Sequence, residues 1–272
     1  MSEYVIANAT VVPVRENPSE GAEQLTQLLF GEVCEVLDRL PRWTKVRSTL
    51  DGQEGWVDFK MVSLASNLIA SSPHRLEAIV ATPMAAATPM DGGADLLLTL
   101  GTRLPNYAYG TFEVLGQQYL IDPTCVNNTT QLLNSDLSRA ELLNNVCAIA
   151  QTLLNAPYLW GGKNLMGMDC SGFTQVVYAA MGVNLLRNAR EQMTQGELIP
   201  CLSDAQPGDL AFFDHADRDP KATNISHVGL LLSPTEIIHC SGCVHIDSID
   251  EQGIHLSDGT LTHHLVQIKR YL

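Results

Sequence analysis

Cys170 stands in the run Met168-Asp169-Cys170-Ser171-Gly172-Phe173-Thr174-Gln175-Val176-Val177-Tyr178. The small polar residues open an apolar stretch, Phe173 to Ala180, that reads as a helix. A helix start carries partial positive charge and unpaired N–H groups. A thiol placed there has its thiolate favoured, which makes it a nucleophile. Such a nucleophile needs a base and a group that orients the base. Two histidines lie downstream in apolar, strand-like stretches, Ser226-His227-Val228-Gly229 and Ile237-Ile238-His239-Cys240. Antiparallel strands joined by Ser233-Pro234-Thr235 set these two rings side by side. His227 opens its strand after a loop and titrates near neutral pH, so it is the expected base. His239 is expected to hydrogen-bond the far nitrogen of His227 and fix its tautomer. A cysteine with distant histidines is the pattern of a cysteine hydrolase.

Other candidates carry less. Cys240 and Cys243 form a C-x-x-C pair, which alone points to redox or zinc chemistry. No second pair exists to complete four zinc ligands, and His215, His245, His255, His263 and His264 are spread without metal spacing. No metal and no cofactor is expected. Asp169 has two readings, a cap on the Cys170 helix or a ligand for a substrate cation.

The elements that must position these groups form an α+β arrangement. Ser138 and Glu141 make a capping box. Leu142, Leu143, Val146, Ile149, Ala150, Leu153 and Leu154 then recur at helical spacing up to Asn155-Ala156-Pro157. Tyr158 to Gly162 leads to the Cys170 helix. After Pro207-Gly208-Asp209, the runs Leu210–Phe213, His227–Leu232, Glu236–Cys240, Val244–Ile249 and Leu265–Tyr271 read as an antiparallel sheet.

The preceding half is β-rich. Val11, Val12 and Val14 form a strand, Asn17-Pro18-Ser19-Glu20-Gly21 a loop, and Val33 to Leu37 a further strand. Trp43 to Arg47 alternates, Asp51-Gly52 is a hairpin turn, and Gly55-Trp56-Val57 closes the unit. Pro13-Val14-Arg15, Gly31-Glu32, Trp43 with Val46, and Gly55-Trp56-Val57 together resemble a bacterial SH3 domain. Leu96–Leu100, Gly101 to Leu104, and the hairpin of Phe112–Val114 with Gln118–Ile121 repeat the plan more weakly. The expected domains are an SH3-like barrel at 1–65, a second at 66–130, and a catalytic domain at 131–272.

Composition sets limits. The 272 residues carry a net charge of −14 and a pI of about 4.8, with 45% hydrophobic residues. No basic stripe occurs, so nucleic acid and anionic membrane surfaces are poor partners. No apolar run reaches the length of a membrane span. Met1-Ser2-Glu3-Tyr4-Val5-Ile6 lacks a basic segment followed by an apolar one, and the seven cysteines have no framework spacing. The expectation is a cytoplasmic protein with reduced thiols.

Residues 140 to 272 resemble the NlpC/P60 family of papain-like cysteine peptidases. The resemblance is carried by Pro157-Tyr158 with Trp160-Gly161-Gly162, Asp169-Cys170-Ser171-Gly172-Phe173, Pro207-Gly208-Asp209-Leu210 with Phe212-Phe213, Ser226-His227-Val228-Gly229, and Ile238-His239. It implies a papain-like domain and cleavage of cell-wall peptides after γ-D-glutamate, before a diamino acid. It makes Cys170 the nucleophile, His227 the base and His239 the orienting residue. SH3-like units ahead of such a domain resemble the γ-D-glutamyl-L-diamino acid endopeptidases that recycle wall fragments. That likeness implies a murein tripeptide or tetrapeptide substrate with a free N-terminal L-alanine. Its ammonium is expected at Asp169 and Ser171, with Glu23 of the first barrel at one end of the cleft. The chain departs from that pattern at Gln53-Glu54, where a tyrosine often stands, and at Asn188-Ala189, which replace a hydroxyl pair. Other readings are a wall- or peptide-binding protein with a vestigial enzyme domain, and an amidase or acyltransferase on the same fold. The intact Cys170, His227 and His239 argue against the vestigial one.

Overall fold

Alternating burial makes the N-terminal segment sheet: in Val11–Arg15 and Glu54–Asp58 every second residue is buried. The structure, a computed structural model, describes residues 3–65, 78–129, 132, 137–215 and 224–272. Strands β1 (Tyr4–Ala7), β2 (Val11–Arg15), β3 (Gln24–Leu29), β4 (Val33–Arg39), β5 (Trp43–Ser48), β6 (Glu54–Asp58) and β7 (Val62–Leu64) form one antiparallel sheet in the order β3-β2-β6-β5-β4-β1-β7. Val12, Val14, Leu28, Val46 and Val57 fill its interior. Gly52 takes φ 73° in the turn between β5 and β6, a conformation that favours glycine.

Strands β8 (Ile79–Val80), β9 (Met84–Pro89), β10 (Leu96–Thr99), β11 (Thr111–Val114), β12 (Gln117–Ile121) and β13 (Val126–Asn127) follow. They make a four-stranded sheet, β10-β9-β12-β11, and a separate β8–β13 pair. The expected hairpin is there: β11 and β12 pair from Thr111↔Leu120 to Val114↔Gln117, across a turn at Leu115 and Gly116, both at positive φ. This region shares its core with the first unit, since Ile6, Phe30 and Val33 pack among Val80, Leu98, Phe112 and Ile121. The expected boundary after 65 opens onto residues outside the described ones, and so does the one at 130/131.

Three α-helices occur among the described residues. Helix α1 (Arg139–Gln151) begins with the expected capping box of Ser138 and Glu141. A hairpin of β14 (Lys163–Asn164) and β15 (Gly167–Met168) leads to α2 (Cys170–Ala179), then α3 (Ala189–Gln192). All residues from Cys170 to Tyr178 are buried, so α2 is a central helix packed on all sides.

The C-terminal strands are β16 (Glu197–Ile199), β17 (Leu210–His215), β18 (His227–Ser233), β19 (Glu236–Ser241), β20 (Cys243–Ile249), β21 (Gly253–His255) and β22 (Leu261–Arg270). The antiparallel sheet of the sequence reading is present, but β21 pairs with both β20 and β22, so six strands close on themselves and β16 is added at β22. Two-residue alternation splits each strand between two cores. Leu210, Phe212, Val228, Leu230 and Ile238 face α1 and α2. Ala211, Phe213, Leu231, Ile237 and Ile249 fill the ring of strands.

Candidate active site

The site forms where α2 starts and where β18, β19, β20 and β22 share one end of the ring. Cys170 is the first residue of α2, behind Asp169 as N-cap, whose Oδ1 accepts from the Gly172 amide at 2.7 Å. Gly172 is required here, because a side chain would drive into the Gly162 carbonyl. Cys170 lines a cleft of ≈ 710 Å³ with Tyr158, Trp160, Asp169, Ser171, His227 and His263. Residues Asn188 to Glu191 and Leu25 of the first unit also line it.

The two histidines meet as the strand pairing requires. Gly229 lies opposite His239 in the β18–β19 ladder, and His227 shares the Gly229 face of β18. His227 Nε2 lies 2.8 Å from His239 Nδ1. His239 Nε2 lies 3.1 Å from Asp247 Oδ2, and His245 Nε2 lies 3.0 Å from the same oxygen. His263 stacks on His227 with ring centroids 4.4 Å apart. Burial pushes the basicity of His239 down, so it is neutral near pH 7, whereas hydrogen bonding from His239 holds the Asp247 carboxyl below its usual range.

The electrostatics at sulfur differ from the sequence expectation. A helix start favours the thiolate, yet burial pushes the Cys170 thiol up, to about 12, and the charge of Asp169 adds to the rise. The amides of Val228 and Ser171 and the charge of Arg187 oppose it without overcoming it. Desolvation outweighs the helix terminus and favours the thiol over the thiolate. Tyr158 stays an O–H donor beside it, since burial and the Cys170 and Asp169 charges push its hydroxyl well up.

Asp169 and Ser171 line the cleft as expected, and both are also tied to Arg187, which the sequence reading did not single out. Arg187 is 1% exposed and grips the Asp169 carboxylate at both oxygens, at 3.0 and 2.6 Å. It also donates to Ser171 Oγ at 2.9 Å and to Thr26 Oγ1, in β3, at 2.7 Å. Asp169 accepts further from the Gly161 amide and the Ser171 hydroxyl. Glu23 accepts from Trp160 Nε1 at 2.7 Å, which joins the first unit to an exposed wall of the cleft.

All seven cysteines are thiols, and Cys240 Sγ donates to the Met168 carbonyl. The ligand atoms of His239, His245 and Asp247 lie within 4.8 Å of one another, a donor set suited to zinc. Sequence spacing hid this convergence, because it arises from the β19–β20 pairing of His239 with His245. A proton on His239 Nε2 and a metal there exclude each other, and the line of rings toward His227 uses the proton.

Residues 155–261 match the NlpC/P60 family, and residues 10–63 match the bacterial SH3 domain. The C-terminal part of this chain is an NlpC/P60 domain. The chain is 28% identical over 226 residues to the gamma-D-glutamyl-L-lysine dipeptidyl-peptidase of Bacillus subtilis, covering 79% of this chain and 71% of that protein. The protein of that name from Bacillus cereus is 26% identical over 228 residues, covering 79% and 66%. The chain thus spans about two thirds of the length of these relatives. The crystal structure of an NlpC/P60 family protein from Bacillus cereus superposes with a TM-score of 0.78 at 19% identity, covering 99% of each chain, which shows a shared fold. Within this NlpC/P60 domain, Cys170, His227 and His239 are the residues read from sequence. Asp247, His263 and Arg187 enter only with the structure.

Proposed function

We propose that this chain is a cysteine peptidase that hydrolyses the γ-D-glutamyl–diamino acid bond of murein peptides. The observation that carries the reading is the His227–His239 contact of 2.8 Å at the cleft that Cys170 lines. Cys170 gives its proton to His227 and attacks the γ-D-glutamyl carbonyl carbon. His227 returns the proton to the departing amine, and water then cleaves the thioester. The names of the two Bacillus relatives support a γ-D-glutamyl-L-lysine bond as substrate.

The reading extends to a free N-terminal L-alanine on a tripeptide or tetrapeptide. The first unit borders the cleft through Leu25 and through Glu23 at Trp160, which favours a short ligand over a continuous strand. Arg187 is already paired with Asp169, while Glu191 lines the cleft and Glu23 stands at its Trp160 wall, so these two carboxylates are offered for the ammonium. Asp169 and Ser171 then shape that end as part of the Arg187 network. We place the reaction in cytoplasmic recycling of wall fragments, and we read the β8–β13 region as a second SH3-like barrel that buttresses the first.

The test is mass spectrometry of products from L-Ala-γ-D-Glu-L-Lys, its diaminopimelate analogue and their N-acetyl forms. Wild-type protein is expected to release L-Ala-γ-D-Glu from the free-amine peptides, and C170A to release none. Turnover by C170A overturns the mechanism. Equal rates on the acetylated peptides overturn the end-group requirement.

A further inference from the structure

We propose that Asp247, which does not line the cleft, is a positioning residue that sets the proton arrangement of both histidines. The inference rests on the peptidase reading of the site. Three atoms fix it. Asp247 Oδ2 is a carboxylate oxygen facing His239, and a carboxylate only accepts hydrogen bonds. His239 Nε2, 3.1 Å from Asp247 Oδ2, therefore carries the hydrogen of the neutral ring. His239 Nδ1 is then a lone pair, and at 2.8 Å it accepts from His227 Nε2. With its hydrogen on Nε2, neutral His227 keeps its lone pair on Nδ1. That nitrogen is the base for the Cys170 thiol.

The same chain serves the charged state. When His227 takes the thiol proton at Nδ1, the ring becomes a cation with Nε2–H still aimed at His239. The carboxylate stands one ring away and stabilises that cation, and no proton leaves the chain. Without Asp247, the buried His239 is free to hold its hydrogen on Nδ1, toward His227. That flips His227 to the Nδ1–H form, and a ring so protonated cannot accept from sulfur.

His245 supports the carboxylate from the open side. Its Nδ1 lies 2.8 Å from the Cys243 carbonyl, an acceptor, so that nitrogen carries hydrogen. Its Nε2 faces Asp247 Oδ2 from 3.0 Å. Asp247 is accordingly bracketed by two rings from adjacent strands, β19 and its own β20.

The experiment pairs kinetics on L-Ala-γ-D-Glu-L-Lys with imidazole 15N NMR of wild type, D247A, D247N and D247E. D247A and D247N are expected to lose 10-fold or more in kcat with KM within twofold, and D247E to recover part of the loss. The NMR is expected to show His239 protonated at Nε2 in wild type and at Nδ1, or as a mixture, in D247A. Unchanged kcat and unchanged tautomers in D247A overturn the proposal. If wild-type protein fails to hydrolyse the peptide, the peptidase reading falls, while the tautomer shift still decides the role of Asp247. Circular dichroism separates a folded variant from an unfolded one, and D247N keeps the shape if D247A does not fold.

Discussion

Gly229 lies directly across the β18–β19 ladder from His239, and its missing side chain leaves the space over which the two imidazoles meet. A Cβ built at Gly229 stands 2.9 Å from His239 Cβ and 2.7 Å from Ile237 Cδ1. The neighbour across the strands must give way, and the ring it displaces is the one that orients His227. G229A is expected to lower kcat by roughly 10²-fold through misplacement of the base, with binding largely kept. Steady-state kinetics check it, and a kcat within threefold of wild type contradicts it.

The buried sulfur makes a pH prediction. A thiol raised to about 12 is protonated at lower pH, and its thiolate fraction grows tenfold per pH unit below that value. In H227A, where no base takes the proton, iodoacetamide labelling of Cys170 is expected to be slow at pH 7 and to climb steadily toward pH 11. In wild type, labelling at pH 7 is expected to be at least tenfold faster than in H227A. Equal rates at pH 7 mean that His227 does not activate the sulfur.

Arg187 is the next test. It is buried with a bidentate partner, so R187A leaves the Asp169 carboxylate without its cation. Breaking such a pair from one side costs about 3–5 kcal/mol. Urea denaturation is expected to show that loss. R187K restores charge but not the two-pronged fit or the bond to Thr26, and is expected to fall between. A wild-type midpoint for R187A rules out the pair as a structural keystone.

Glu23 and Trp160 bear on selection of the substrate's end. E23Q keeps the hydrogen bond to Trp160 possible while removing the charge. It is expected to raise KM for the free-amine tripeptide several-fold and to leave the acetylated peptide unaffected. W160F, which deletes the donor, is expected to loosen Glu23 and raise KM as well. The ratio of kcat/KM for the two peptides is the readout, and an unchanged ratio in E23Q removes Glu23 from recognition.

The legible part of this site was local in sequence. Cys170 announced itself through Asp169, Ser171 and Gly172, which are needed within one helical turn. His227 and His239 were legible because a short turn joins their strands. Asp247 was not, since nothing in Val244-His245-Ile246-Asp247 distinguishes an exposed alternating strand from a paired one until the register with β19 is known. Closure of the C-terminal strands was missed for the same reason: Gly253–His255 is a three-residue strand, too short to show a period. Arg187 bonds Thr26 across 161 positions, a distance no periodicity reports.

The docking of the first unit has a consequence for how this chain can be taken apart. Lys163, just ahead of the nucleophile helix, is buried against Glu32 at 2.8 Å, Gln27 accepts from both Lys163 and Asn164, and Gln175 of α2 donates to Asp51. Arg187 adds Thr26 to this seam. A fragment cut at the peptidase boundary would strand an ammonium, a guanidinium edge and several amides on a newly bared surface. The front unit is therefore no detachable anchor to be swapped among wall enzymes, because grafting a foreign one would require redrawing the nucleophile's own foundations.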